Sequence, residues 1–273
     1  MADELIFLKL GGSLLTDKTR PQALRRDVLQ RLAGEIAGAL AQSPALRLVV
    51  GHGSGSFGHF AASRYGTRAG VYSRAAWRGY AETARAAAEL NRLVVAALGE
   101  AGVPALPIQP SASAVCRDGE LVSMDVRPTV VSLAQGLVPV IYGDVALDEA
   151  RGGTIISTEQ ILCWLAPRLR PGRVLLVGEV DGVRTADPAR GGEGEVIRQI
   201  TPASFPQIAG ALGRSRGVDV TGGMYEKVAE MVELVRSMPA PLVVDVISGL
   251  MPGLVRSALL NGGLVAGTRI VAD

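Results

Sequence analysis

The chain has 273 residues, of which 48% are hydrophobic and 20% charged, and its 28 Lys and Arg are nearly balanced by 26 Asp and Glu. A formal net charge of +2 spread along the chain and an aromatic share of 4% argue against a nucleic-acid partner. No apolar stretch approaches the roughly 20 residues of a membrane span, no signal-peptide pattern precedes Lys9, and Cys116 and Cys163 have neither metal-ligand nor disulfide-framework spacing. The expectation is a cytoplasmic globular protein with reduced thiols, no membrane partner and no metal held by the protein itself.

Leu5–Leu10 reads as a strand that runs into Gly11-Gly12-Ser13. Arg25–Leu40 reads as a helix, because Val28, Leu32, Ile36 and Leu40 recur on one face. Leu46–Val50 is a second buried strand and enters a glycine-rich loop over Gly51–Gly58. A long alanine-rich helix follows over Ala75–Gly99, then a strand over Val103–Ile108. Ser113–Val115 and Glu120–Val122 form a hairpin around Asp118-Gly119. Val130–Gly136 is helical, Val138–Tyr142 is a strand, and Asp148–Gly153 turns the chain into Thr154–Ile156. Ser157–Leu169 is a helix opened by a serine cap.

Arg170-Pro171-Gly172 is the candidate lobe boundary, dividing residues 1–170 from 171–273 within one continuous two-lobed domain. Beyond it, Val174–Val177, Leu242–Ile247 and Gly267–Val271 read as strands, Gly223–Met238 and Met251–Asn261 as helices, and Gly191–Glu195 and Gly210–Gly217 as surface loops. Strands alternating with helices imply an α/β fold with a mostly parallel sheet covered on both faces. Ligands of such sheets bind at the carboxyl ends of the strands.

The segments with chemical content fall at those strand ends. Lys9 closes an apolar strand, so its ammonium either meets an anion or escapes past an edge strand to water. Gly11, Gly12 and Ser13 let the backbone approach such an anion. Gly51–His59 places four glycines in nine residues after a buried strand, a composition suited to wrapping a phosphate with N–H groups. His59 supplies a donor to that phosphate, whereas His52, directly after the strand, serves either the ligand or the bracing of the loop. In Asp219–Lys227 two glycines open a helix and Lys227 sits one turn in, an arrangement for polyphosphate or simply a solvated lysine. Glu179 and Asp181 follow the strand at Val174–Val177, where acids bond a ribose, align a lysine or only turn the chain. Glu159 occupies the first turn of its helix, and Lys18 lies in a polar stretch where an exposed lysine is the default.

These segments, in this order, resemble the amino acid kinase superfamily and, within it, the isopentenyl phosphate kinases. The similarity spans K-L-G-G-S-L-L-T-D-K at Lys9–Lys18, H-G-S-G-S-F-G-H at His52–His59, I-Q-P-S at Ile108–Ser111, V-P-V-I-Y-G-D at Val138–Asp144, V-D-G-V at Val180–Val183 and D-V-T-G-G-M at Asp219–Met224. The G-S-F-G-H segment is the sharpest of these, being shared chiefly with isopentenyl phosphate kinases and the similar fosfomycin kinases.

The resemblance implies a three-layer α/β/α sandwich, usually homodimeric, with the acceptor in the N-terminal lobe and the nucleotide in the C-terminal lobe. It implies ATP-dependent phosphorylation of isopentenyl phosphate, with Mg²⁺ carried mainly by the ATP phosphates. Lys9, Lys18, His59 and Glu159 become the catalytic set, and Ser54, His59 and Thr158 the substrate-binding set. Lys9, Gly11, Gly12, Ser13, Gly55, Glu179, Gly223 and Lys227 become the nucleotide set. Three positions depart from the family pattern: Glu159 and Glu179 stand where a shorter acid is usual, and Tyr142 where a histidine is. The alternatives are a kinase for fosfomycin or another alkyl phosphate or phosphonate, and a non-catalytic phosphate or nucleotide sensor. Lys9, Lys18 and His59 together speak against the sensor, which needs no lysine for phosphoryl transfer.

Overall fold

The computed structural model describes residues 4–185, 194–212 and 224–273. In chain order the elements are β1 (Leu5–Leu10), α1 (Gly12–Leu15), α2 (Arg26–Gln42), β2 (Arg47–His52), α3 (Gly55–Tyr65), α4 (Arg74–Glu100) and β3 (Ala105–Pro107). There follow β4 (Val115–Arg117), β5 (Glu120–Ser123), α5 (Arg127–Ala134), β6 (Val138–Tyr142), β7 (Asp144–Asp148), β8 (Gly152–Ile156) and α6 (Thr158–Leu169). The remainder comprises β9 (Arg173–Gly178), β10 (Gln199–Ile200), α7 (Phe205–Leu212), α8 (Met224–Ser237), β11 (Val243–Ser248), α9 (Leu254–Leu260) and β12 (Thr268–Ile270). Eight strands form one sheet in the order β10-β12-β11-β9-β1-β2-β6-β3. Its pairings are parallel except for β11 with β12. A second sheet, β5-β4-β7-β8, packs beside it.

Side chains on a strand alternate between faces. On β1, Ile6, Leu8 and Leu10 join a core under α2, α4 and α9. Leu5 and Phe7 join the opposite core, under α6 and α8. Lys9 therefore shares a face with Leu5 and Phe7, the face that α6 covers. On β2 the same rule sends His52 toward α4 and leaves Gly51 under α6. Both faces of the sheet are covered, which is the three-layer arrangement the sequence implied.

One tie between layers comes from a single side chain. Helix α9 begins at Gly253, in the left-handed region at φ 80°, with no cap of its own. The buried Glu35 of α2 supplies one instead, accepting from the backbone N–H groups of Gly253, Val255 and Arg256 at 3.0 to 3.2 Å. Arg31 donates to the same carboxylate at 2.7 Å. Glu35→Ala leaves these donors without an acceptor and is expected to destabilise the protein by about 3 kcal/mol. Urea unfolding at neutral pH measures it.

Most expected elements appear within two or three residues of their predicted ends. Three differ. The Gly51–Gly58 segment is not one loop: β2 continues to His52 and α3 starts at Gly55, leaving Gly53-Ser54 as the whole connection. Asp144–Asp148, given no element by the sequence reading, is β7, paired along its length with β8. Gly210 to Leu212 belong to α7 rather than a loop. The rest of Gly210–Gly217 and residues 191–193 of the Gly191–Glu195 loop lie outside the described residues.

Candidate active site

A cleft of about 310 Å³ opens at the carboxyl ends of the central strands. Four helices begin at its edge: α1 at Gly12, α3 at Gly55, α6 at Thr158 and α8 at Met224. A helix N-terminus presents N–H groups that have no partner within the helix and the positive end of the helix dipole, so the cleft suits anions. Among the predicted residues, Lys9, Gly11, Gly12, Ser13, Lys18, Ser54, Gly55, His59, Thr158, Glu159, Glu179 and Lys227 all line this one cleft. Gly223, and with it most of the Asp219–Met224 motif, lies outside the described residues.

Lys9 does not escape to water. It pairs in register with Gly51 and Leu176 in the middle of the sheet, and its ammonium meets Glu159 at 2.9 Å. Both side chains are at least nine-tenths buried. Burial works against the Glu159 charge, but Lys9, nearby Lys227 and the Lys9 hydrogen bond outweigh it and hold the carboxyl below its ordinary range. Glu159 is delivered by the capping box at the start of α6, where Ser157 accepts from the Gln160 N–H and the Gln160 side chain accepts from the Ser157 N–H.

The two glycine turns touch backbone to backbone. A Cβ on Gly12 would lie 2.6 Å from the Gly55 nitrogen, and one on Gly53 3.0 Å from the Gly12 nitrogen. Here glycine is required by close approach, and Gly55 also has φ 51°. The first turn of α3 then presents Ser54, Gly55 and His59 to the cleft. A second, small cavity of about 10 Å³ lies next to His59 between α3 and α4. Ala62, Thr83 and Ala87 wall it, with Ile155 and Asp144 opposite. One face of α4 borders this cavity, whereas nearby Phe57 is buried in the core and Phe60 is exposed to solvent.

His52 braces rather than binds. It is fully buried, its ring stacks on Tyr142 with centroids 5.7 Å apart, and its Nδ1 lies 3.0 Å from the Gly53 carbonyl. A carbonyl only accepts, so Nδ1 carries the proton. Burial, with nearby Lys9, lowers the pKa and keeps the ring neutral despite these hydrogen bonds. Nε2 is then an acceptor, so the Asn91 amide, whose Oδ1 stands 3.0 Å away, has to turn its N–H toward the ring. Tyr142, standing at the usual histidine position, thus packs the loop from below.

The pH consequence has a definite sign. The unfolded chain protonates His52 below about pH 6.5 while the folded chain resists. Stability is complete above that pH and falls below it, by at most about 1.4 kcal/mol per pH unit. Between pH 7.5 and 5.5 the wild type should lose about 1 kcal/mol more than His52→Gln, as read by urea titration.

Other expectations acquire partners. The Thr158 hydroxyl donates to the His52 carbonyl at 2.7 Å, so it is engaged by β2. Glu179 sits at the cleft rim and bonds Arg25 at 2.7 Å rather than a lysine. Asp181 turns the chain and pairs with Arg184. Lys18 is exposed and reaches the cleft from a short hairpin closed by the Thr16–Leu24 bridge. Sequence reasoning missed Thr16 and Ser56, buried hydroxyl residues inside quoted motifs. Nothing but their place next to glycine turns signalled them.

The sequence matches the family model for the amino acid kinase family over residues 4–244. It is 36% identical to the isopentenyl phosphate kinase of Methanothermobacter thermautotrophicus over 273 aligned residues, covering 97% of this chain and 98% of that protein. Against the isopentenyl phosphate kinase of Haloferax volcanii it is 42% identical over 231 residues, covering 84% and 88%. A solved isopentenyl phosphate kinase structure superposes with a TM-score of 0.81 at 33% identity, covering 97% of this chain and 100% of that one. A substrate complex of an isopentenyl phosphate kinase gives 0.77 at 25% identity, covering 97% and 99%. The chain belongs to the amino acid kinase family and, within it, to the isopentenyl phosphate kinases.

Proposed function

We propose that the protein transfers the γ-phosphoryl group of ATP to isopentenyl phosphate, giving isopentenyl diphosphate and ADP. The observation that carries this reading is the back-to-back contact of two glycine turns in one cleft, each leading into a helix N-terminus, with His59 on one of them. Gly11, Gly12 and Ser13 hold the ATP phosphates together with Gly55, and Lys227 and Glu179 complete the nucleotide side. Ser54 and His59 hold the acceptor phosphate, and Thr158 fixes the wall between the two. Residues 1–170 thus bind the acceptor and part of the ATP phosphates, and 171–273 the rest of the nucleotide.

In the transfer an oxygen of the acceptor phosphate forms the new bond to the γ-phosphorus as the bond to the β–γ bridging oxygen breaks, and ADP takes that electron pair. A phosphate monoester has its second pKa near 6, so the nucleophile is already ionised at neutral pH and needs no general base. His59 is an anchor. The barrier to overcome is repulsion between two anions, and positioning plus compensating charge lower it. Lys9, held upright by Glu159, and Lys18 face the transferring group.

The cleft carboxylates are already paired, Glu159 with Lys9 and Glu179 with Arg25. Carboxylates engaged in this way serve charge positioning, so Mg²⁺ would be held mainly by the ATP phosphates and would supply charge neutralisation there. As the family resemblance implies, the enzyme is a cytoplasmic homodimer. Among the described residues no helix is long and apolar enough to cross a membrane.

A coupled ADP-release assay with isopentenyl phosphate, other alkyl and prenyl monophosphates, and fosfomycin tests the proposal. The highest kcat/KM is expected with isopentenyl phosphate. A higher value with fosfomycin, or no acceptor-dependent ADP release at all, would overturn it.

A further inference from the structure

We propose that Thr16 is a positioning residue whose buried hydroxyl sets the spacing between the donor and acceptor phosphate sites. The inference rests on the phosphoryl-transfer reading above. Thr16 is fully buried and directly follows α1. Its Oγ1 donates to the Gly12 carbonyl at 2.7 Å and accepts from the Ser56 N–H at 2.8 Å. Gly12 belongs to the turn on the nucleotide side, and Ser56 is the second residue of α3, on the acceptor side. One hydroxyl, used as donor and acceptor at once, joins the two.

Neighbouring contacts make the joint tight. A side chain on Gly55 would run into the Thr16 hydroxyl, and one on Gly12 into the Gly55 backbone. Ser56 extends the tie to the hairpin that carries Lys18, since its Oγ accepts from the Ala23 N–H at 3.2 Å. Asp17 N–H to Ala23 carbonyl, at 2.8 Å, closes that hairpin. The donor turn, the acceptor helix and the Lys18 hairpin therefore meet at Thr16 and Ser56.

The physical need is specific to this chemistry. Two loaded phosphate sites repel each other, and in-line transfer tolerates little displacement; an error near 1 Å costs on the order of 100-fold in rate. Van der Waals contact between glycine turns resists compression but not separation. The Thr16 hydroxyl resists separation. It touches neither substrate, so its loss should lower the rate of the chemical step and leave each affinity nearly intact.

The test compares wild type, Thr16→Val and Thr16→Ser in the full chain. KM values are taken for ATP and isopentenyl phosphate. The kcat is expressed per binding-competent molecule, counted by calorimetric titration with a non-hydrolysable ATP analogue. Thr16→Val, equal in shape but without the hydroxyl, should lose roughly 10- to 100-fold in kcat with both KM values within about threefold. Thr16→Ser should recover to within about threefold of wild type. If Thr16→Val does not fold, Thr16→Ala is held to the same criteria.

The inference falls if the variant lacking the hydroxyl keeps wild-type kcat per competent molecule. It also falls if the loss lies wholly in one KM, or if Thr16→Ser is as impaired as Thr16→Val. A wild type that turns over no monophosphate overturns the functional reading and the inference with it. An active wild type beside an undiminished Thr16→Val overturns the inference alone.

Discussion

Replacing His59 by alanine is expected to raise the KM for isopentenyl phosphate by about 10- to 100-fold and to lower kcat, with the KM for ATP nearly unchanged. Hydrogen bonds to a charged group contribute about 1.5–3 kcal/mol, and each 1.4 kcal/mol is a factor of ten. His59 sits one turn into α3, where the main cleft meets the small cavity between α3 and α4. In the proposed acceptor site an alkyl tail would enter the cavity walled by Ala62, Thr83 and Ala87. That cavity holds about 10 Å³, roughly one water, so the tail must displace its walls on entry. In the proposed arrangement the nucleotide side is built mainly from β1, α1 and α8, and Gly55 of α3 serves it through backbone that the substitution leaves in place. His59→Gln, which keeps a neutral donor, should fall between. Wild-type kcat/KM for isopentenyl phosphate in His59→Ala would remove His59 from the acceptor site, whatever the ATP kinetics.

The parts legible in the sequence are those in which one residue type meets one physical demand. Leu5–Leu10 and Val138–Tyr142 are strands with the predicted ends, because short, almost wholly apolar runs suit a sheet buried on both faces. Lys9 reads as unusual because an ammonium at the end of such a run needs a partner; Glu159 as the acid that orients the lysines comes only from the family resemblance, since it is 150 positions away and reaches Lys9 through the packing of α6 on β1. The composition of Gly51–His59 gave its purpose but hid its shape. Glycine suggests a loop, yet four glycines here serve the end of β2, backbone contact with Gly12, and the start and first turn of α3. His52 and His59 are both histidines of one motif, and only the strand's alternation separates them, sending His52 into the core against Asn91. Thr16 was invisible for a different reason. A threonine in a polar stretch looks like a turn residue, and its role depends on which backbone groups the fold brings within 3 Å.

Lys9→Met should abolish most activity and also destabilise the fold, and the two effects can be separated. Removing a cation that faces the transferring phosphoryl group costs about 10²–10³ in kcat. It also strands Glu159, whose carboxylate is then buried with its direct partner gone, at about 3–5 kcal/mol. The double variant Lys9→Met with Glu159→Gln removes both charges while keeping the volume, so it should recover most of the stability and none of the activity. The pH dependence supplies an independent check of sign. In the wild type the Glu159 carboxyl lies below its ordinary range, so the pair's contribution is present above that range, about pH 4.3, and is lost as pH falls through it. In Lys9→Met burial is opposed mainly by Lys227, and the carboxyl should move above its ordinary range. Relative to wild type, that variant then gains stability as pH falls from 7 toward 5, because the wild-type pair's contribution is constant over that interval and the His52 loss is common to both. Urea unfolding across that interval, beside kcat at pH 7, measures both. A Lys9→Met protein within about 1 kcal/mol of wild type at pH 7 would show that the buried pair does not bear on folding, and a double variant with substantial activity that it does not supply charge to the reaction.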